Sequence, residues 1–396
     1  MKILMLGWEL PPHNSGGLGV ACYQLCKALS AKDVDIEFIL PYQAEHEADF
    51  MAVTAANPRS AATVLASGGA YGSQGLVDAP VGIHAEQRLY ERSVARLVAD
   101  KPVDIVHAHD WLTFRAALRV KEAKNCPVIL HVHSVESDRA GGPHGNPLVK
   151  EVEGLSMSLA DQIIAVSQHT KNSIIRDYGI PAGKIEVVHN SIDPRSAAPL
   201  DSDNAYHYVT LMKQLGYKVI VNVGRLTIQK GLPNLLKATK LVIEREPKTL
   251  LLMVGSGEQY HELIELAAEL GIGPNVLFAD FQRGKRWRDA FRAGDIFVMP
   301  SMSEPFGLTP LEAIGYGTPA LISKQSGVSE VLRNCLKVDF WDVDEMANQL
   351  VAVLRDDGLR QELQANAYRE YRQLSWQDVS DKVLRLYQNH LAEAAA

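Results

Sequence analysis

Two acidic and two basic residues stand out by their spacing. In PSMSEPFGLTPLEAIGYGTP (300–319), Glu304 and Glu312 are separated by seven residues around the turn FGL. Thr309, Pro310 and Glu312 read as a Thr-x-x-Glu capping box with Pro at the first helical position. A capped helix start with free amides at Gly307 and Leu308 is also a place for an anion, so Glu312 can serve structure and binding together. Glu304 has no structural role in that box, and a carboxylate held in such a loop suits sugar hydroxyls. In NVGRLTIQKGL (222–232), Arg225 and Lys230 lie five residues apart, just ahead of Gly231 and a helix. Two cations there would neutralise a diphosphate and stabilise the charge that grows on it as it leaves. Taken alone, a solvated basic loop is the commoner case.

The first half of the chain holds matching features. GWELPPHNSGGLGVACYQLCKALS (7–30) joins a strand to a helix through a glycine-rich turn, which brings amides up to a phosphate. It lacks the G-x-G-x-x-G order of dinucleotide folds, and a plain turn with positive φ at Gly16 or Gly17 would explain it equally well. HAHDW (107–111) and HVHS (131–134) end two neighbouring apolar runs. The carboxyl ends of parallel strands are where open α/β sheets bind ligands, and imidazole and carboxylate offer directional partners to hydroxyls. A lone histidine there would be a satisfied strand cap; two such endings favour a sugar-lined cleft.

Other features carry less. RGKRWRDAFRAG (283–294) is basic and reads as the solvated face of a helix. Asp33-Val34-Asp35, Asp201-Ser202-Asp203 and Asp342-Val343-Asp344 imitate an Asp-x-Asp metal clamp, but none follows a strand end, and metal binding is rejected. Cys22, Cys26, Cys126 and Cys335 form no C-x-x-C pair and have no His pair at zinc-ligand spacing beside them, so they read as buried reduced thiols.

These residues need a frame. Short apolar runs alternate with helical periodicity down the chain, the mark of βαβ units and parallel sheets. The first set is 2–6, 36–40, 103–109, 127–133, 162–167 and 184–190; the second is 218–224, 249–255, 275–280, 295–301 and 319–323. Between them, RSAAPLDSDNAY (195–206) reads as a linker, with a boundary near Asp203 and hinge motion expected there. Residues 375–396 read as one amphipathic helix. Residues 44–82 resist assignment, and 134–150, with three Gly and two Pro, reads as irregular.

The 396 residues suit two substantial domains, and 46% hydrophobic with 22% charged residues excludes disorder for the bulk of the chain. A net charge of −7 argues against nucleic acid or an anionic membrane as main partner. The apolar start KILML is too short for a signal core or a membrane span, so a soluble cytoplasmic protein without stable membrane insertion is expected.

As a set, SGGLG (15–19), HAHDW, HVHS, IIAVSQHT (163–170), VVHNSID (187–193), GRLTIQKGL (224–232) and above all SEPFGLTPLEA (303–313) resemble retaining glycosyltransferases of family 4 over nearly the whole chain. SGGLG, HAHDW and GRLTIQK are also similar to segments of glycogen and starch synthases. Bacterial glycogen synthases usually have Tyr where Glu312 stands, which favours the broader family.

The resemblance implies a GT-B fold: two Rossmann-like, doubly wound parallel-sheet domains facing each other across a cleft. It implies an N-terminal domain 1–203 on the acceptor side, a donor domain 204–374, and a helix 375–396 that crosses back at Trp376. Arg225 and Lys230 would hold the donor diphosphate, with the Gly16-Gly17 loop opposite. Glu312 would bind the ribose, and Glu304 the transferred sugar with the amides of Phe306, Gly307 and Leu308. His133 would contact the sugar near its 6-hydroxyl, while Asp110, His109 and Arg139 would lie toward the acceptor.

The expected reaction is retaining transfer of a hexosyl group from a nucleotide diphosphate sugar to a glucan or oligosaccharide hydroxyl, with no cofactor and no metal. An acceptor that is phosphorylated, a small metabolite or lipid-linked is the alternative, with Arg139, His144 and Lys150 as candidate phosphate ligands. A non-catalytic donor-binding protein is opposed by the intact set Arg225, Lys230, Glu304 and Glu312, and an oxidoreductase by the missing G-x-G-x-x-G.

Overall fold

The structure is a computed structural model and describes residues 1–14, 16–66, 81–194 and 203–395. Ser15 of the glycine-rich turn, residues 67–80 of the unassigned stretch, residues 195–202 of the expected linker and hinge, and with them Asp201 and Ser202, lie outside the described residues. The chain divides into two compact units, Met1–Ser191 with Ser375–Ala396, and Ile192–Leu374. The change of unit at Ser191 thus comes ahead of Asp203. Asn204 and Ala205, read as linker, are tied to the second unit: Asn204 Nδ2 donates to the Asp289 carbonyl at 3.1 Å and the Ala205 amide to Asp289 Oδ2 at 2.9 Å.

Unit 1 holds a seven-stranded sheet of β1 (Lys2–Leu6), β2 (Asp35–Leu40), β3 (Ala52–Ala55), β4 (Ile105–His109), β5 (Val128–Val132), β6 (Gln162–Ala165) and β7 (Ile185–Val187). Its order is β3-β2-β1-β4-β5-β6-β7, every pair parallel. The central strands are buried on both faces, which is why they read as unbroken apolar runs rather than as alternation. β3 falls in the unassigned stretch; it is short and half-buried, so no apolar run marks it.

The helices of this unit are α1 (Gly17–Ser30), α2 (Ala61–Ala66), α3 (Val81–Leu97), α4 (Trp111–Lys124), α5 (Glu136–Arg139), α6 (Pro147–Leu159) and α7 (Gln168–Tyr178). The segment read as irregular therefore contains α5 and the start of α6. Asn146 caps α6, its side chain accepting from the Leu148 amide at 3.0 Å, so Gly and Pro there punctuate two helices rather than abolish them.

Unit 2 repeats the plan. After α8 (His207–Gln214), six strands β8 (Lys218–Val223), β9 (Thr249–Val254), β10 (Val276–Ala279), β11 (Ile296–Met299), β12 (Ala320–Ser323) and β13 (Leu336–Val338) pair in the order β10-β9-β8-β11-β12-β13. α9 (Leu232–Arg245), α10 (Tyr260–Glu269), α11 (Gly284–Ala293) and α12 (Thr309–Gly315) connect them, and α13 (Val343–Arg355) and α14 (Asp357–Tyr371) follow. Both sheets are doubly wound, with the strand order reversing beside β1 and beside β8. β13, three residues long, gave no apolar run to read.

α15 (Trp376–Ala395) follows unit 2 in the chain yet belongs to unit 1. Trp376, Val379, Val383 and Tyr387 recur at helical spacing and are buried in the core that also holds Leu25, Cys26 and Leu29 of α1. Each apolar side chain so buried contributes about 1.5–3 kcal/mol. Unit 2 has its own core, with Leu236, Leu251, Val298 and Leu350 fully buried.

Candidate active site

In unit 2 the strand order turns between β8 and β11, which pair directly through Phe297 and Val221. The loops bearing Arg225 and Lys230, and Glu304, leave the carboxyl ends of those two strands, where open α/β sheets bind ligands at a switch point. The loops are stitched together. The Met302 amide donates to the Gln229 carbonyl at 2.8 Å, and Gln229 Nε2 to the Ser303 carbonyl at 2.9 Å. Gly231 lets the first loop turn into α9: its φ is 62°, and a Cβ there would lie 2.3 Å from the Pro300 carbonyl oxygen.

Lys230 Nζ forms an ion pair with Glu304 Oε2, which also accepts from Ser301 Oγ at 3.0 Å. Glu304 is pinned through its backbone as well, its amide donating to the Gln325 carbonyl and its carbonyl accepting from the Gly327 amide, both at 2.9 Å. Outside the capping box Glu304 thus has a structural role: it is buried and anchors Lys230. Arg225 lies half-buried on the same loop, with Nη2 3.3 Å from Gln229 Oε1.

The segment leading into α12 departs from the capping box. α12 starts at Thr309, so Leu308 occupies the cap position without a side-chain bond and Pro310 comes second in the helix. The Thr309 hydroxyl instead faces Met299 Sδ at 3.7 Å. Gly307 takes φ 96° against Met299 and the Glu304 side chain, and Phe306 is buried beside it. The amides of Gly307 and Leu308 have no acceptor among the described residues.

Glu312, half-buried, has Trp287 of α11 as its hydrogen-bond donor. Burial pushes its carboxyl up to about 7, against that hydrogen bond. The geometry thus brings Arg225, Lys230 and Glu304 onto joined loops and gives Glu312 a separate partner.

In unit 1 the switch point lies between β1 and β4. Gly16, expected to have positive φ if the turn were structural only, is extended at φ −165°, with open space where a Cβ would be. Gly17 also lies outside the positive-φ glycines of the described residues. Gly19 is the tight position: a Cβ would sit 3.0 Å from the Glu9 carbonyl oxygen.

Parallel register sets His109 beside His131, and four imidazoles stack at the ends of β4 and β5. His109 Nδ1 lies 3.0 Å from His133 Nε2, and His107 Nε2 lies 3.2 Å from His131 Nδ1. Burial holds all four well below the usual imidazole range, His133 at about 3, so each is neutral. His109 is fully enclosed, its Nε2 3.2 Å from Met5 Sδ, and presents no surface to an acceptor, contrary to expectation; His133 is 6% exposed.

Asp110 sits at φ 59° and ψ 167°, its Oδ1 accepting from the His133 and Ser134 amides at 2.6 and 3.3 Å. Burial raises its carboxyl to about 7 despite the Arg139 charge and those two amides. Arg139 is not available to a phosphate. Its guanidinium donates to Glu136 Oε2 at 3.1 Å, to the Ser134 carbonyl and hydroxyl at 3.0 and 2.8 Å, and to Glu153. Lys150, another candidate phosphate ligand, donates to the Pro143 carbonyl.

Two participants escaped the sequence reading. Tyr387 of α15 places its hydroxyl 2.5 Å from His107 Nδ1, and Cys22 of α1 approaches His109 and His133. Tyr387 sits on the amphipathic stripe and looked like plain core; only convergence of distant elements reveals either.

Two family models match the chain: Glycosyltransferase Family 4 over residues 15–196 and Glycosyl transferases group 1 over 210–370. An uncharacterized glycosyltransferase of Methanocaldococcus jannaschii is 29% identical over 98% of both chains. The glycogen synthase of Mycobacterium tuberculosis is 27% identical over 98% of this chain and 94% of its own. Among solved structures, sucrose-phosphate synthase from Thermosynechococcus elongatus aligns with a TM-score of 0.79 at 19% identity, covering 99% of each chain. Anabaena HepE in complex with UDP-glucose aligns at 0.74 and 19% identity, over 98% of this chain and 100% of its own. No helix among the described residues is long and apolar enough to cross a membrane.

Proposed function

As the chain belongs to the family 4 glycosyltransferases, we propose that it moves a hexosyl group, glucosyl in the first instance, from a nucleotide diphosphate sugar to a hydroxyl of a glucan or oligosaccharide, with retention of anomeric configuration. The observation that carries this reading is the Lys230–Glu304 ion pair at the unit 2 switch point, with Arg225 on the Lys230 loop.

In this proposal Lys230 and Arg225 hold the donor diphosphate and offset the charge that collects on the leaving oxygen, which is why the reaction requires no metal. Glu304 and the amides of Phe306, Gly307 and Leu308 position the transferred sugar, and Glu312 takes the ribose hydroxyls. Gly16 and Gly17 supply the backbone share from unit 1; His133 takes the 6-hydroxyl, and Asp110 lies toward the acceptor. The glycosidic C–O bond to phosphate breaks as the acceptor oxygen bonds the anomeric carbon on the same face, and the departing phosphate oxygen takes the acceptor proton. No enzymic nucleophile is invoked.

A neutral acceptor is favoured over a phosphorylated one because Arg139 spends its charge on Glu136 and Glu153 inside unit 1. The relative that is a glycogen synthase points the same way, while the sucrose-phosphate synthase fold neighbour keeps the phosphorylated class worth assaying.

The test is a melting-temperature screen with UDP-, ADP- and GDP-glucose, which a bound donor raises by mass action. Nucleotide release with maltooligosaccharides in EDTA and NMR of the product anomer follow. No stabilisation by any donor would refute the reading, an inverted product would refute retention, and dependence on a divalent ion would refute the cation role.

A further inference from the structure

Three elements of unit 1 carry soft metal ligands to one buried point. Cys22 projects from α1, His109 ends β4 and His133 follows β5. The Cys22 sulfur and one ring nitrogen from each histidine lie within 4.8 Å of one another. A tetrahedral zinc ion, with bonds of about 2.3 Å to sulfur and about 2.0–2.1 Å to nitrogen, sets its ligand atoms roughly 3.3–3.6 Å apart. The set as it stands is at most about 1.5 Å wider than that spacing.

A second group, His107, His109 and His131, falls within the same 4.8 Å. It is already spent: His107 uses one ring nitrogen on Tyr387 at 2.5 Å and the other on His131 at 3.2 Å, so a metal there would break both bonds. In the Cys22 group the ring contact to be given up is the 3.0 Å one between His109 Nδ1 and His133 Nε2. Met5 Sδ, 3.2 Å from His109 Nε2, adds a further soft atom to the same surroundings. Thiolate with imidazole selects zinc-like or softer ions over magnesium and calcium. His133 is the least enclosed of the three, at 6% exposure against 1% for Cys22 and 0% for His109.

We propose that Cys22, His109 and His133 form a binding site for a thiophilic divalent ion of the zinc class, and that its occupancy inhibits the enzyme by withdrawing His133 from the donor sugar. The inhibitory half rests on the role given to His133 above; the binding half does not. On binding, the thiol releases its proton to solvent and the sulfur bonds the metal.

Cobalt(II) added to the metal-stripped full-length chain reports the site without reference to activity. One equivalent is expected to give a thiolate-to-cobalt charge-transfer band and the ligand-field bands of a tetrahedral ion, both abolished by one equivalent of zinc. Cys22→Ser and Cys22→Ala should lose the charge-transfer band, and Cys26→Ser, which alters a neighbouring buried thiol outside the group, should keep it. Circular dichroism and melting curves establish that each variant is folded. A wild type without the band, or a band that survives Cys22→Ser and Cys22→Ala in folded protein, overturns the site. Equimolar zinc is expected to suppress transfer by wild type at least tenfold, reversibly with EDTA, and to spare Cys22→Ser. A cobalt band without zinc inhibition overturns the inhibitory half and leaves the site standing.

Discussion

The Tyr387 hydroxyl lies 2.5 Å from His107 Nδ1, although 280 residues separate the two in the chain. Both are fully buried, and His107 passes the contact on to His131 at 3.2 Å. The hydroxyl on the last helix and the two strand-end imidazoles thus form one hydrogen-bonded chain, in which the tautomer of each ring is tied to that of the other. His109 and His133 stack on those rings at centroid distances of 4.6 and 4.3 Å.

Tyr387→Phe keeps the ring and leaves a buried ring nitrogen without its partner. A loss of about 1–3 kcal/mol is expected, read as a lower urea midpoint at unchanged slope. Nitrogen NMR of labelled histidine should show the His107 and His131 tautomers mixing while the fold persists.

Lys230→Ala removes the cation and strands the Glu304 carboxylate. Loss of one preorganised charge-stabilising donor costs roughly 10²–10³ in kcat, and that range is expected with an unchanged circular dichroism spectrum. Steady-state turnover with saturating donor checks it; near-normal kcat would remove Lys230 from the chemistry.

Glu312 gives stability a pH dependence with a defined sign. Burial raises its folded value to about 7 from the ordinary 4.5, so between those values the folded chain binds more protons than the unfolded one. The contribution is complete below about pH 4.5 and is lost as pH rises through about 7. Glu312→Gln should flatten that part of the stability profile, which urea titrations at stepped pH measure. An identical profile in both proteins would contradict the raised value.

Gly231→Ala meets two penalties, positive φ and a carbonyl oxygen 2.3 Å from the new Cβ. Backbone in that region costs about 1–3 kcal/mol for a residue with a side chain, and the clash forces the Pro300 loop outward. The expected outcome is a lower melting temperature together with a raised KM for the donor, since this loop holds Lys230.

Much of the frame could be read in advance because parallel strands buried on both faces leave unbroken apolar runs, as in KVIVNV and TLLLMV. β3 and β13 were missed because four residues with one exposed and three half-buried, and three residues on a sheet edge, make no such run. At the candidate site, residue types and loop positions were legible but partnerships were not. Nothing local to Lys230 announces a carboxylate 74 positions away, and nothing beside Arg139 announces that Glu153, 14 positions on, closes round it. The capping box failed for a narrower reason: Thr-x-x-Glu fits the pattern, but the helix begins on the threonine itself.

Because α15 is made after unit 2 yet completes unit 1, the first sheet emerges from the ribosome with the α1 flank uncovered and His107 without its tyrosine. Unit 2 lies wholly between the two parts and can fold as one stretch. The core of unit 1 therefore closes only once the last residues of the chain are made, whereas every residue of unit 2 is already in hand by then.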